Sequence, residues 1–342
     1  MKKIWIVLMV IGLVALFVSA NLAEVKALYP VTGLGMQVRT DVKAKRKYTI
    51  ACIVKNSTNP YMVAQLAGVR KAAQDMGFEA ITLAPAKQDS IEEQVRIVED
   101  LLQKKIDALI IHPADSNGIV PAVEKAVAMG VPVATIGTPA NSNKVLFRTG
   151  VDYAETGVVI TQWVAEKMKG EGNLIILEGP PQADNARERL RGINEVLKKY
   201  PKIKVIASQP ANFQRVAGMQ VMENLLQKFT NVKAVIAAND EEALGAIMAI
   251  KAAGRQGEGI IVAGFDGSED ASWALKRDQM AVTYNTDPYG SGYCAAAFMV
   301  RYLNEGAKPA KAFMPFPSAQ DKPIISKVNI DEYVKNSAWW KK

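Results

Sequence analysis

A set of polar and aromatic side chains recurs at one kind of place in this sequence, just after short apolar runs. Lys55, Asn59 and Tyr61 follow the run Tyr48–Val54, and Gly137-Thr138-Pro139 follow Val131–Ile136. Further on come the DNARERLR stretch Asp184–Arg191, Asn212-Phe213, Asn239-Asp240-Glu241, Asp266-Gly267 and Asn285-Thr286-Asp287. Carboxylates and amides exchange hydrogen bonds with neighbouring hydroxyls, an arginine donates several in a fixed fork, and aromatic faces cover C–H surfaces. Such a set fits a ligand rich in hydroxyl groups. Each position also has a plain architectural reading. Asn59-Pro60 is a good helix N-cap followed by a favoured first-turn proline, Asn239 can cap a helix starting near Glu241, and Asp266-Gly267 can be a simple turn. Their joint occurrence at equivalent places favours a shared site.

Other chemistries find little support. His112 is the single histidine, and without cysteines or an acidic cluster beside it, it makes no metal site; it is expected to form a hydrogen bond at a site's rim. The serines have no histidine-acid arrangement for nucleophilic catalysis. The glycines of GEGIIVAGFDG lack the spacing of a dinucleotide fingerprint. No enzyme activity, cofactor or metal is expected.

The elements that would position these residues alternate. Apolar strand candidates Tyr48–Val54, Phe78–Leu83, Asp107–Ile111 and Val131–Ile136 are separated by helical patterns over 59–76, 90–104 and a third that ends at Gly130. Near Phe147–Tyr153 the rhythm restarts, with strands at 173–177, 204–208, 234–238, 260–264 and 281–285 and helices at 186–200, 214–229, 241–253 and 270–276. Short runs buried on both faces belong to parallel sheets crossed by helices. A long helix at 288–303 is best placed if the chain crosses back onto the first unit. The fold class is therefore α/β, with two Rossmann-like lobes of parallel sheet flanked by helices. Open sheets of this kind bind ligands at the carboxyl ends of their strands, where the polar set lies.

With 49% hydrophobic and 22% charged residues the chain is globular, and its formal charge of +8 is scattered, with no long basic block or interleaved aromatics that would suggest nucleic acid. Residues 1–20 read as an export signal: Lys2-Lys3, an apolar stretch from Ile4 to Phe17, and the small residues Val18-Ser19-Ala20. An uncleaved anchor is the competing reading, since no charge appears before Glu24. Either way the bulk of the protein is expected outside the cytoplasm. Cys52 and Cys294 lie in apolar surroundings and are expected to be buried free thiols. Trp339-Trp340 is expected to serve packing.

The segments NPYMVAQLAG, QPANFQRVAG, AANDEEALGA and VAGFDG resemble those of the ribose- and galactose-type periplasmic binding proteins of ABC importers, with the resemblance running from Tyr48 to Ile330. It implies two lobes joined by three crossovers and closing by a hinge around one sugar. Lobe boundaries would be 48–151 plus 287–316 and 152–286 plus 317–342, after a connector over 21–47. It also implies sugar contacts from Asn59, Tyr61, Arg187, Phe213, Asn239 and Asp266, with Arg187 favoured over Arg189, which is assigned a structural or interlobe role.

The departures lie mostly in the first lobe. Ribose binders carry an Asp-Arg pair where this chain has Gly137-Thr138; a small polar residue is replaced by Lys55, a second aromatic by Met62, and a glutamine by Thr286. Ribose itself is disfavoured. Lys55 would replace the missing cation from a different strand, or point to solvent, and Gly137 would open room beside the guest. A bulkier sugar, a polyol or an acidic derivative would suit. The function expected is capture of a sugar or polyol by a monomeric protein that delivers it to ABC permease subunits, with a membrane-tethered sugar receptor or chemosensory protein as the alternative. A sugar-responsive repressor would need a DNA-reading motif where the apolar export segment stands.

Overall fold

The computed structural model describes residues 42–308, 313–315 and 323–342; the export segment expected over 1–20 lies outside them. Among the described residues, twelve strands form two six-stranded sheets. In the first, β1 (Thr49–Ile53), β2 (Glu79–Leu83), β3 (Ala108–Ile111), β4 (Val133–Ile136), β5 (Phe147–Gly150) and β11 (Phe313–Pro315) run in the order β2-β1-β3-β4-β5-β11. In the second, β6 (Glu171–Glu178), β7 (Lys202–Pro210), β8 (Ala234–Ala237), β9 (Ile261–Ala263), β10 (Val282–Tyr284) and β12 (Ile324–Ser326) repeat that order as β7-β6-β8-β9-β10-β12. All pairings are parallel except β10 with β12. In each sheet the order reverses at the first strand, and the crevice at such a reversal is where an open α/β sheet holds its ligand.

The alternation of side chains across a strand explains why these runs are apolar throughout. On β1, Ile50 and Cys52 enter one core layer while Ala51 and Ile53 enter the layer on the opposite face. On β6, Ile175 and Leu177 divide from Leu174 and Ile176 in the same way. With helices on both faces the strand interiors take mainly apolar side chains; buried exceptions such as Thr135 and Thr283 are small hydroxyls. The long helix Pro288–Glu305 packs on helix Pro60–Met76 of the first sheet, as the sequence suggested. Gly68 and Gly292 let those backbones touch: a Cβ on either would stand 2.1 Å from the facing carbonyl oxygen of Tyr289 or Gln65.

Several elements escape the apolar-run reading. The β5 sequence FRTG carries an arginine and a glycine, and helix Tyr153–Lys167 is capped by Asp152, whose side chain accepts from Glu155 N–H. Strands β11 and β12 and helix Ile330–Asn336 close the two sheets near the end of the chain. Cys52 and Cys294 are buried free thiols, and burial pushes the Cys52 thiol up to about 12. Among the described residues no helix is long and apolar enough to cross a membrane, and no cluster of histidine, cysteine or acidic groups is placed to hold a metal ion.

Candidate functional site

Between the two sheets lies a small cavity. Its wall draws on the loops after β1, β2, β3, β5, β6, β7, β8 and β9, a concave meeting of polar and aromatic groups of the kind that holds a small ligand. Five residues of the sequence-derived set that resemblance carried over converge on it: Asn59, Tyr61, Phe213, Asn239 and Asp266.

The loop after β1 is braced from within. Asn56 Oδ1 accepts from Asn59 N–H at 2.9 Å while its amide donates to Asp89 Oδ1 at 2.9 Å. Asn59 Oδ1 in turn accepts from Tyr61 N–H at 2.9 Å, capping helix Pro60–Met76. The cap sets Tyr61 at the cavity wall beside Tyr153. Lys55 is not at the rim: it is 2% exposed, its ammonium has no hydrogen-bond partner, and it lies 5.5 Å from the centre of the Phe213 ring. Burial pulls it down to about 8, with Asp89 favouring and Arg189 opposing the charged form.

On the opposite wall, Asn212 and Phe213 both adopt left-handed backbone, φ +58° and +60°. Strain of that kind is sustained only by fixed surroundings. Here they include Glu242, whose carboxylate accepts from the N–H groups of Phe213 at 2.5 Å and Ala238 at 2.8 Å. Asn239 does both jobs weighed in the sequence: its Oδ1 caps helix Asp240–Ala252 through Glu242 N–H, and it faces the cavity, with its amide donating to Phe213 O at 3.3 Å. Asp266 stands at φ +123°, fixed by its N–H on Tyr284 O at 2.8 Å and by Trp339 Nε1–H on its carbonyl at 2.8 Å. Burial pushes its carboxyl well above the usual range, the Asp240 charge adds to this, and Arg189 pulls the other way.

The structure corrects four expectations. Arg187 is outside the cavity: its side chain is 44% exposed, paired with Asp184 and donating to Pro181 O. The arginine in the wall is Arg189, 3% exposed, donating to Ala238 O and lying 4.2 Å from the centre of the Phe265 ring. The reason is helical phase. Helix Asp184–Leu197 buries Asn185, Arg189, Gly192 and Val196, a 3.6-residue stripe that leaves position 187 on the far face. Thr138 lies behind the wall, its hydroxyl donating to Asn185 Oδ1 at 2.9 Å and meeting His112 Nε2 at 3.1 Å. Thr286 is likewise set back, its hydroxyl reaching Asp266 Oδ1 at 3.5 Å. Gly137 opens no room: a Cβ there would stand 2.3 Å from the His112 ring, so the imidazole fills the space. His112 itself is buried, 1% exposed, and burial followed by the Lys55 charge holds it well below the ordinary histidine value.

The wall also holds Asn56, Asp89, Tyr153, Asn185 and Arg189. Asn185 and Arg189 belong to the DNARERLR stretch already set among the polar candidates, and the Asp152-x-x-Glu155 helix-start pattern is the signal that could have placed Tyr153. Around the cavity the two halves already touch. Ser116 N–H donates to Gln182 O at 3.2 Å, and Asp184 N–H donates to Ser116 Oγ at 3.1 Å. This is a closed cleft of fixed donors and acceptors that can grip a guest from both sides.

Residues 50–308 match a family model described as a periplasmic binding protein domain. The chain is 38% identical to the ribose import binding protein of Bacillus subtilis over 244 residues, 71% of this chain and 78% of that one. In structure it is similar to an ABC transporter solute-binding protein of Actinobacillus succinogenes with bound D-allose, at TM-score 0.77 and 29% identity, covering 84% of this chain and 100% of that one. It is also similar to one of Bacillus halodurans with bound myo-inositol, at TM-score 0.76 and 26% identity, covering 84% and 97%.

Proposed function

The chain belongs to the periplasmic binding protein domain family, and from that premise we propose that it captures a sugar or polyol between its lobes and delivers it to the permease subunits of an ABC importer. The observation that carries this reading is the cavity itself, whose wall joins Lys55, Asn59 and Tyr61 of one lobe to Arg189, Phe213, Asn239 and Asp266 of the other. Hydroxyls of the guest meet fixed donors and acceptors there, and the Phe213 and Tyr61 rings cover its C–H faces. A hydroxyl of the wrong epimer leaves a buried group unpaired, at about 1–3 kcal/mol each.

Contacts to both lobes at once exist only in the closed form, so the guest shifts the hinge toward closure. The lobes divide near 151 and 287, with β12 and the last helix completing the second; the third boundary expected at 316 lies outside the described residues. The protein is exported by its first 20 residues and acts as a monomer that binds and releases its guest unchanged.

Calorimetry of the purified protein against pentoses, hexoses, polyols and their acids tests this. One-site saturable binding of at least one member is expected, with the guest recovered intact by mass spectrometry. No binding across the panel, or a chemically altered guest, overturns the reading.

A further inference from the structure

Within the reading of the cleft as a site for hydroxylated solutes, we propose that Lys55 makes the guest an acid: a small polyhydroxylated carboxylate whose carboxylate rests on the Lys55 ammonium and whose hydroxyls face Asn239 and Asp266. The proposal starts from a buried cation that nothing balances. Lys55 is 2% exposed, and its ammonium has no hydrogen-bond partner. Asp89, whose charge favours it, makes no ion pair with it; that carboxylate is half-exposed and takes the Asn56 amide instead.

The other cation of the wall is already committed. Arg189 donates to Ala238 O and Thr156 Oγ1, lies over the Phe265 ring, and offsets the buried Asp266 and Glu242. A buried charge needs both hydrogen-bond acceptors and an opposite charge. A guest hydroxyl supplies only the acceptor, whereas a carboxylate oxygen supplies both in one charge-assisted contact. The remaining groups orient the acid. At the far wall a carboxylate would face Asp266, with Asp240 behind it; at the near wall it meets Lys55. Phe213 lies between, its ring 5.5 Å from the ammonium.

Matched pairs sharing one carbon skeleton test this by calorimetry at neutral pH: D-ribose with D-ribonate, D-glucose with D-gluconate, and D-galactose with D-galacturonate. For the skeleton that fits best, the acid is expected to bind at least about 10-fold more tightly than its neutral partner, the scale of a buried charge pair. Lys55→Met is expected to cut that ratio below about 3-fold, and Lys55→Arg to preserve most of it. If Lys55→Met does not fold, the ratio in the unaltered protein decides alone. Neutral members binding as tightly as their acids overturn the proposal and leave the sugar or polyol reading standing. An acid preference that survives Lys55→Met overturns the role of Lys55. Silence from both members of every pair overturns the proposal and the underlying reading together.

Discussion

The Thr138 hydroxyl donates to Asn185 Oδ1 at 2.9 Å, and the bond crosses the cleft from the first lobe to the second. It stands where a ligand-gripping pair was sought, and it grips the opposite lobe instead. Behind it His112 Nε2 meets the same hydroxyl at 3.1 Å, and His112 Nδ1 meets Gln65 at 2.8 Å.

Thr138→Val keeps the shape and removes this bond. A net hydrogen bond is worth about 0.5–1.5 kcal/mol, so guest affinity is expected to fall by about 2–10-fold through loss of the closed form. Small-angle scattering should show a larger radius for the unliganded variant. An unchanged affinity and radius would mean that the bond does not hold the lobes together.

The two arginines of ARER should separate cleanly. Arg187→Ala removes an exposed ion pair and is expected to change guest affinity less than about 2-fold. Arg189→Met removes the wall's guanidinium donor and leaves Ala238 O without it. It should abolish measurable binding and lower stability by about 1–3 kcal/mol, the cost of an unsatisfied buried group. Calorimetry and urea unfolding check both, and a strong affinity loss in Arg187→Ala would return that residue to the site.

Much of this is legible in the sequence, and the misses have separate physical causes. Strand ends are visible because an apolar run must stop where the sheet meets the cleft, which is why Asn239 and Asp266 were found directly. Facing direction on a helix is a matter of phase, and the choice between Arg187 and Arg189 needed the helix start to within one residue. Side-chain replacement from a neighbouring strand is not written in any local stretch. That His112 fills the space above Gly137, or that Lys55 turns inward, depends on a neighbour brought from another strand. Strand β5 was missed because Arg148 and Thr149 interrupt its apolar run, and β11 because it is only three residues long and ends in proline.

Asp266→Asn keeps the volume and the Thr286 contact while removing the acceptor charge. Binding is expected to weaken by about 10–100-fold, the scale of a charged hydrogen bond. The unliganded protein should be no less stable, because burial and the Asp240 charge already work against the Asp266 carboxylate. A drop in the unfolding midpoint would show that the carboxylate supports the fold instead.

Gly179 follows β6 against the Phe213 ring, and a Cβ there would stand 2.5 Å from the ring. Gly179→Ala must therefore push the ring into the cavity or out of its turn. Affinity is expected to fall by at least about 10-fold with little change in secondary structure, since overpacking acts locally. Wild-type affinity in this variant would remove Phe213 from the wall that matters.

The charge on Lys55 should also be readable in stability alone. Its folded value of about 8 lies below the ordinary 10.5, so between these limits the unfolded chain holds more protons than the folded one. Stability contributed by this group therefore rises with pH across that window, and the cost of the buried ammonium is fully present below about pH 8. Burial sets this balance first, with Asp89 favouring and Arg189 opposing the charged form. Removing the charge with Lys55→Met is expected to stabilise the unliganded protein at neutral pH by up to about 3 kcal/mol. The advantage should shrink as pH approaches the value of a free lysine. Urea unfolding of both proteins across the window measures the difference. A gap that does not narrow with rising pH would mean that the ammonium is not the destabilising group.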